Sequence, residues 1–141
     1  MVLSDYYDEF SGKSVSRSRG RSSIKEWKHG QVVKALREKL KDLGSHHKCQ
    51  EVDLVVIAGD VLHLYEVKTG ADTQSIYTGI GQLVFHGAAL RRLYADKTVI
   101  KHLVVPISLK GKARVAFCEE LDVDVVTYSP SNSGFAIHTH K

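Results

Sequence analysis

Residues 52 to 68 constrain this chain more than any other stretch. They read Val-Asp-Leu-Val-Val-Ile-Ala, then Gly59-Asp60, then Val-Leu-His-Leu-Tyr-Glu-Val-Lys. Two apolar, β-branched runs separated by two residues, the first a glycine that tolerates positive φ, predict a β-hairpin with strands over 52–58 and 61–68. A two-residue turn fixes register. With Ala58 opposite Val61, counting back along both strands places Asp53 opposite Glu66. Alternation then gathers Asp53, Val55 and Ile57 on one face with Leu62, Leu64, Glu66 and Lys68.

The rest of the chain supplies cover for that hairpin. His29, Val32, Val33, Leu36, Leu40 and Leu43 recur at helical spacing and predict a helix over 24–43, stopped by Gly44. Ile76, Ile80, Leu83, Val84, Leu90 and Tyr94 predict a second helix over 73–95. Gly79, Gly81 and Gly87 inside it imply a late start or close packing on a neighbour. Further strands are expected over 99–107, 123–128 and 135–138, with a short helix over 110–121. Helices alternating with strands in 141 residues predict one α/β or α+β domain, a small mixed sheet flanked by helices. No apolar run approaches the roughly 20 residues of a membrane-spanning helix.

The net charge of +4 is unevenly distributed. Residues 1–12 carry −3, residues 13–48 carry +8 and residues 49–141 carry −1. The segment 11–23, rich in Ser, Arg and Gly, reads as a flexible basic arm, so the chain divides into an arm or linker over 1–23 and a domain over 24–141. Arg17, Arg19, Arg21, Lys25 and Lys28 are the residues expected to meet a polyanion, where each cation at a phosphate releases counterions. A solvated tail and the polar face of a helix would carry the same charge.

Cys49 and Cys118 form no metal or redox motif, and no signal peptide is visible, so a reducing, cytoplasmic setting is expected. His46, His47 and Cys49 cluster, and His138 and His140 alternate, but neither set has a matching second half for zinc. They read as exposed loop and strand residues.

The opposed carboxylates carry the chemistry. Like charges facing each other at the end of an apolar face are destabilising and push at least one pKa upward. Two arrangements relieve this. Asp53, Glu66 and Lys68 can form an ion cluster at the end of the sheet, or the carboxylates can share a hard divalent cation such as Mg²⁺. A cation so held would polarise a phosphoryl oxygen and acidify a bound water, with Lys68 beside it to orient the water or neutralise developing charge.

Asp53, twelve intervening residues, and Glu66-Val67-Lys68 at the end of a hairpin resemble the bipartite motif of the PD-(D/E)XK nuclease superfamily. The element order over roughly residues 24–128 is similar to its restriction-endonuclease-like αβββαβ core. Gly81-Gln82-Leu83 resembles the "GQL" segment of nuclease domains in restriction-type and DNA-processing proteins, and His29-Gly30-Gln31 resembles the start of the first helix in the same group. The resemblance implies that Asp53, Glu66 and the main-chain carbonyl of Val67 bind Mg²⁺, with Mn²⁺ able to substitute. It also implies that Lys68 acts on the attacking water, that Gln82 supports the catalytic site, and that His29 and Gln31 are accessory. Many members carry a metal-binding glutamate on the first helix; here Glu38 falls a turn or two too late, and Val52 stands where the motif's name has proline.

The function so implied is a Mg²⁺-dependent endonuclease domain hydrolysing DNA, for which pairing as a homodimer or joining to a target-recognition domain in a longer chain is expected. Two other readings use the same residues: a catalytically inactive nucleic-acid-binding module, and an assembly subunit of the same fold.

Overall fold

The 52–68 stretch folds as a hairpin in the computed structural model of the chain, which describes residues 1–6, 21–70, 72–109 and 118–139. Its strands are β3 (Val52–Ala58) and β4 (Val61–Val67), and Gly59 takes φ +60° at the turn. Ala58 pairs with Val61, and the same register runs back to Leu54 opposite Tyr65. The turn is held from outside, with Lys97 Nζ donating to the Gly59 carbonyl at 3.1 Å and the Thr98 N–H to the Asp60 carbonyl at 2.8 Å.

The remaining elements are β1 (Ser4–Asp5), α1 (Arg21–Lys39), β2 (Ser45–Cys49), α2 (Thr73–Leu93), β5 (Thr98–Pro106), β6 (Val123–Ser131) and β7 (Gly134–His138). The fold is mixed α/β. The strands form one seven-stranded sheet in sequence order. Strands β1 to β4 pair antiparallel, β4, β5 and β6 pair parallel, and β7 returns antiparallel on β6. The parallel β4–β5 neighbours require a crossover, and α2 provides it.

Alternation along the strands builds two cores. On one face Val55, Leu62, Leu64 and Leu103 pack against Ile76, Leu83 and Leu90 of α2. On the other, Leu54, Val56, Tyr65, Val67, Val104 and Val126 pack against Val32, Val33 and Leu36 of α1. The centre of the sheet is buried on both faces, which explains why β3 and β5 read as nearly continuous apolar runs.

The sheet is larger than the small one expected from the sequence. Strand β2, Ser-His-His-Lys-Cys, lacks apolar alternation and exists because its backbone pairs with β3. His46, His47 and Cys49 are therefore half-buried strand residues rather than exposed ones. Helix α1 starts at Arg21 and ends at Lys39, so Leu43 lies beyond it and is 42% exposed. Ser4 and Asp5, assigned to the arm, pair with Lys48 and His47. Arg17, Arg19, His140 and most of the expected 110–121 helix lie outside the described residues; Glu119–Leu121 is a 3₁₀ turn.

A polar chain crosses β4, β5 and β6 on the α1 side of the sheet. His63 Nδ1 meets His102 Nε2 at 2.9 Å, and His102 Nδ1 meets Asp124 Oδ2 at 2.8 Å, with the Tyr65 ring stacked on His102. Burial and the neighbouring His102 charge hold His63 below its ordinary pKa. As pH falls through about 6.5, the unfolded chain therefore takes up a proton at His63 that the folded chain refuses, and stability declines. Urea titrations from pH 7.5 to 5 should show that decline in the native chain, and a shallower one in His63→Gln.

Glycines in α2 divide by what lies beneath them. A Cβ at Gly79 would sit 2.6 Å from Leu103 Cδ1 and 3.3 Å from Lys68 Cγ, whereas one at Gly81 would meet nothing within 4 Å among the described residues. Gly79→Ala should cost roughly 1–3 kcal/mol by overpacking. Gly81→Ala should stabilise the fold by about 0.5–1 kcal/mol through helix propensity. Thermal denaturation of the two variants checks both signs.

Candidate functional site

The β3–β4 ladder ends one step short of the two carboxylates. Past the Leu54–Tyr65 pair, the Val67 N–H donates to Asp53 Oδ2 at 2.8 Å. This bond turns the Asp53 carboxylate toward β4 and leaves Glu66 beside it at the end of the sheet. Glu66 stands next to Leu103 of β5, on the face that α2 covers, and its side chain is only 6% exposed. Lys68, just past the end of β4, places Nζ 3.4 Å from Glu66 Oε2.

Lys68 is anchored by its main chain. Its N–H donates to the Val104 carbonyl at 2.9 Å, and its carbonyl accepts from the Tyr128 hydroxyl at 3.1 Å. Gly79 allows α2 to lie directly over its side chain. The backbone that carries Glu66, Val67 and Lys68 is thus held by three strands, while the Lys68 side chain stays 20% exposed.

From α1, His29 Nε2 reaches Asp53 Oδ2 at 3.2 Å. Asp53 Oδ2 thus takes two donors, and the carboxyl group also meets the Glu66 side chain. The charges sort accordingly. For Asp53, burial acts upward, but His29 and the Val67 N–H outweigh it and hold the carboxyl below its ordinary value. Glu66 moves the other way, because burial and the Asp53 charge raise its pKa more than Lys68 lowers it. His29 is raised by its bond to Asp53, with burial opposing. One carboxylate is kept ionised, and its neighbour resists ionisation unless a further positive charge arrives.

Gln82 lies one turn beyond Gly79 on α2, half-buried, and its side-chain Oε1 is buried with no hydrogen-bond partner among the described residues. Gln31, about 200° round α1 from His29, does not share its direction. It lines a groove of about 910 Å³ between α1 and β7, with Lys34, Arg37 and Phe135. Glu38 is exposed and bound by Lys41 at 3.1 Å, away from the carboxylates. Lys25 is exposed and Lys28 half-buried on the first turns of α1, and Arg21 opens that helix. Lys25 is close enough to act on Asp72 at the start of α2, so both helices begin near the same end of the molecule. Trp27, the chain's single tryptophan, is 65% exposed between these lysines. Nothing in the sequence reading singled it out, although a lone Trp in a basic stretch off the apolar stripe was the available signal.

Hard oxygen donors suit a small divalent cation, and Asp53, Glu66 and the Val67 carbonyl are the oxygens that could hold one together with water. The raised pKa of Glu66 marks where added positive charge would be stabilising. Among the described residues, no group of three or more His, Cys, Asp and Glu side chains is arranged to hold a metal, so the carbonyl and water would be needed. No helix there is long and apolar enough to cross a membrane.

Comparisons with protein-family models, with curated proteins and with solved structures give no significant match for this chain.

Neutralising Glu66 isolates the cost of its charge. Its raised pKa means the folded chain holds a proton that the unfolded chain releases between pH 4.5 and the folded value, so stability falls as pH rises through that window. Glu66→Gln should therefore stabilise the metal-free protein at pH 8 by roughly 1–3 kcal/mol, with the gain fading toward pH 4.5. Denaturant titrations at the two pH values measure it.

Proposed function

We propose that this chain is a metal-dependent nuclease domain that hydrolyses DNA phosphodiester bonds. The observation that carries the reading is the Asp53–Glu66 pair at the end of the β3–β4 ladder, Glu66 buried and Asp53 half-buried, with Lys68 in contact with Glu66. Two acids are held together against their repulsion, at a depth where an ordinary surface ion pair would not be placed. The order α1, then β2, β3 and β4, then α2 and β5 supports the resemblance to the restriction-endonuclease-like core of the PD-(D/E)XK superfamily. Three further strands extend the sheet around that series.

Mg²⁺ bound by Asp53, Glu66 and the Val67 carbonyl would supply Lewis-acid polarisation of a phosphoryl oxygen and acidify a bound water. The protein's own groups then divide the work. Asp53 stays ionised because His29 and the Val67 N–H hold one of its oxygens, so an anion is ready beside Glu66. Glu66, whose pKa is raised, would release its proton to water where added positive charge is held. Lys68, anchored through both main-chain atoms, brings a fixed ammonium to the attacking water or to charge growing on the phosphorus oxygens. Gln82, over the same end of the sheet, offers an unsatisfied oxygen to orient a neighbour. Lys25, Lys28 and the 13–23 segment contribute sequence-independent attraction to the backbone. Trp27 adds an exposed ring on which a base can stack.

A second reading is a nucleic-acid-binding module without cleavage. His29 favours it, because a base occupies Asp53 from the helix on which many superfamily members place a metal-binding glutamate. DNA binding that weakens steeply with salt, with no cleavage in Mg²⁺ or Mn²⁺, would establish this alternative.

Asp53→Ala and Lys68→Ala should each lower Mg²⁺- or Mn²⁺-dependent cleavage at least about 100-fold. Circular dichroism should remain that of the native fold. Nicking and cutting of plasmid and single-stranded DNA by the purified proteins is the measurement, and undiminished cleavage by either variant rules the assignment out.

A further inference from the structure

The outer face of α2 lacks the charge that a surface helix ordinarily carries. From Thr73 through Leu90, eighteen consecutive residues contain no Asp, Glu, Lys or Arg. Helix α1, which covers the opposite face of the same sheet, carries eight in its nineteen. An amphipathic helix packed on a core normally turns charged residues outward. Helix α2 instead turns out Tyr77, Gly81, Val84, Phe85 and Ala88, which recur at helical spacing opposite Ile76, Leu83 and Leu90. Tyr77 is 61% exposed, Val84 48% and Phe85 73%. An uncharged stripe, apolar apart from Gln74 and Thr78 toward its start and with charge only at its ends, has the composition of an interface core with a polar rim.

We propose that this face pairs with the same face of a second copy of the chain, the two α2 helices running antiparallel about a two-fold axis. The stripe is self-complementary in that arrangement. An axis at the level of Gln82 and Leu83 sets Phe85 of each copy over Gly81 of the other, and Tyr77 over Ala88. Large side chains meet small ones twice, as an isologous contact requires. Gly81 is open to receive the ring, since a Cβ there would have no neighbour within 4 Å among the described residues.

Charge selects the same orientation. Asp72 is exposed at the start of α2, and Arg91 and Arg92 are exposed in its last turn. Antiparallel pairing brings each copy's arginines to the other's Asp72 at both ends, and opposes the helix dipoles favourably. A parallel pair would set arginine against arginine. A partner of different sequence would need complementary features, whereas a second copy supplies all of them.

The occupant can be tested through Gly81, where monomer and dimer respond oppositely. Gly81→Leu is tolerated by the isolated fold but fills the space that Phe85 of the other copy needs. Phe85→Glu, at a position exposed in the single chain, puts charge into the middle of the contact. Sedimentation equilibrium on the full chain at micromolar concentration should give twice the 15.7 kDa chain mass for the native protein. Both variants should sediment as folded monomers. Exchanging large and small in Gly81→Phe/Phe85→Ala should restore the dimer in part. A native chain that is monomeric throughout, or a dimer that survives Gly81→Leu or Phe85→Glu, overturns the proposal.

Discussion

The register of the β3–β4 hairpin is the constraint on which the other features rest. Gly59 accepts a positive φ that most residues resist, the turn closes in two residues, and every cross-strand pair follows from it. A slip of one residue would send Leu62, Leu64 and Glu66 to the α1 side and leave Asp53 without its partner. The apolar pattern forbids that slip, because both faces of the central strands are buried and each is matched to a different helix. Lys97 and Thr98 bond the turn from β5, so the parallel neighbour also reads its position from the hairpin.

From this register follows an electrostatic conflict that the fold contains without removing. Asp53 is stabilised as an anion by the Val67 N–H and by His29. Glu66, buried deeper and facing that anion, is raised in pKa despite Lys68. A chain selected for stability alone would place an apolar residue at one of these positions. The acids are kept, and β4, which carries Glu66, is tied by main-chain bonds to β5 and through the Tyr128 hydroxyl to β6. Such asymmetry between adjacent carboxyl groups suits a site that accepts added positive charge, which is the physical basis for reading it as a metal-dependent hydrolase.

The two helices serve the sheet differently. Helix α1 is charged outside and apolar inside, delivers His29 to Asp53, and leaves a groove toward β7. Helix α2 lies close to the sheet through Gly79 and Gly87 and presents an uncharged outer face. The glycines that interrupt its periodicity thus have separate reasons. Gly79 and Gly87 make room for Lys68, Leu103 and Lys101 beneath the helix, while Gly81 faces outward.

Local pattern in the sequence was enough for the hairpin, its register from Leu54 to Tyr65, the two helices and the placing of Asp53, Glu66 and Lys68 at one end of the sheet. These depend on local quantities: the spacing of apolar residues, the residues a two-residue turn accepts, and alternation along a strand. Only the tertiary structure decided the rest. Strand β2 has no apolar pattern and is a strand because β3 offers it an unpaired edge; the pairing of Ser4 and Asp5 follows in turn. His29 read as part of the apolar stripe of its helix, and Gln31 as its companion. Helix placement turned the first to Asp53 and the second into a groove. The same holds for the His63–His102–Asp124 chain, whose members come from three strands and meet only when parallel neighbours align. Local sequence encodes which face a residue takes, but which residues meet across elements depends on how those elements pack.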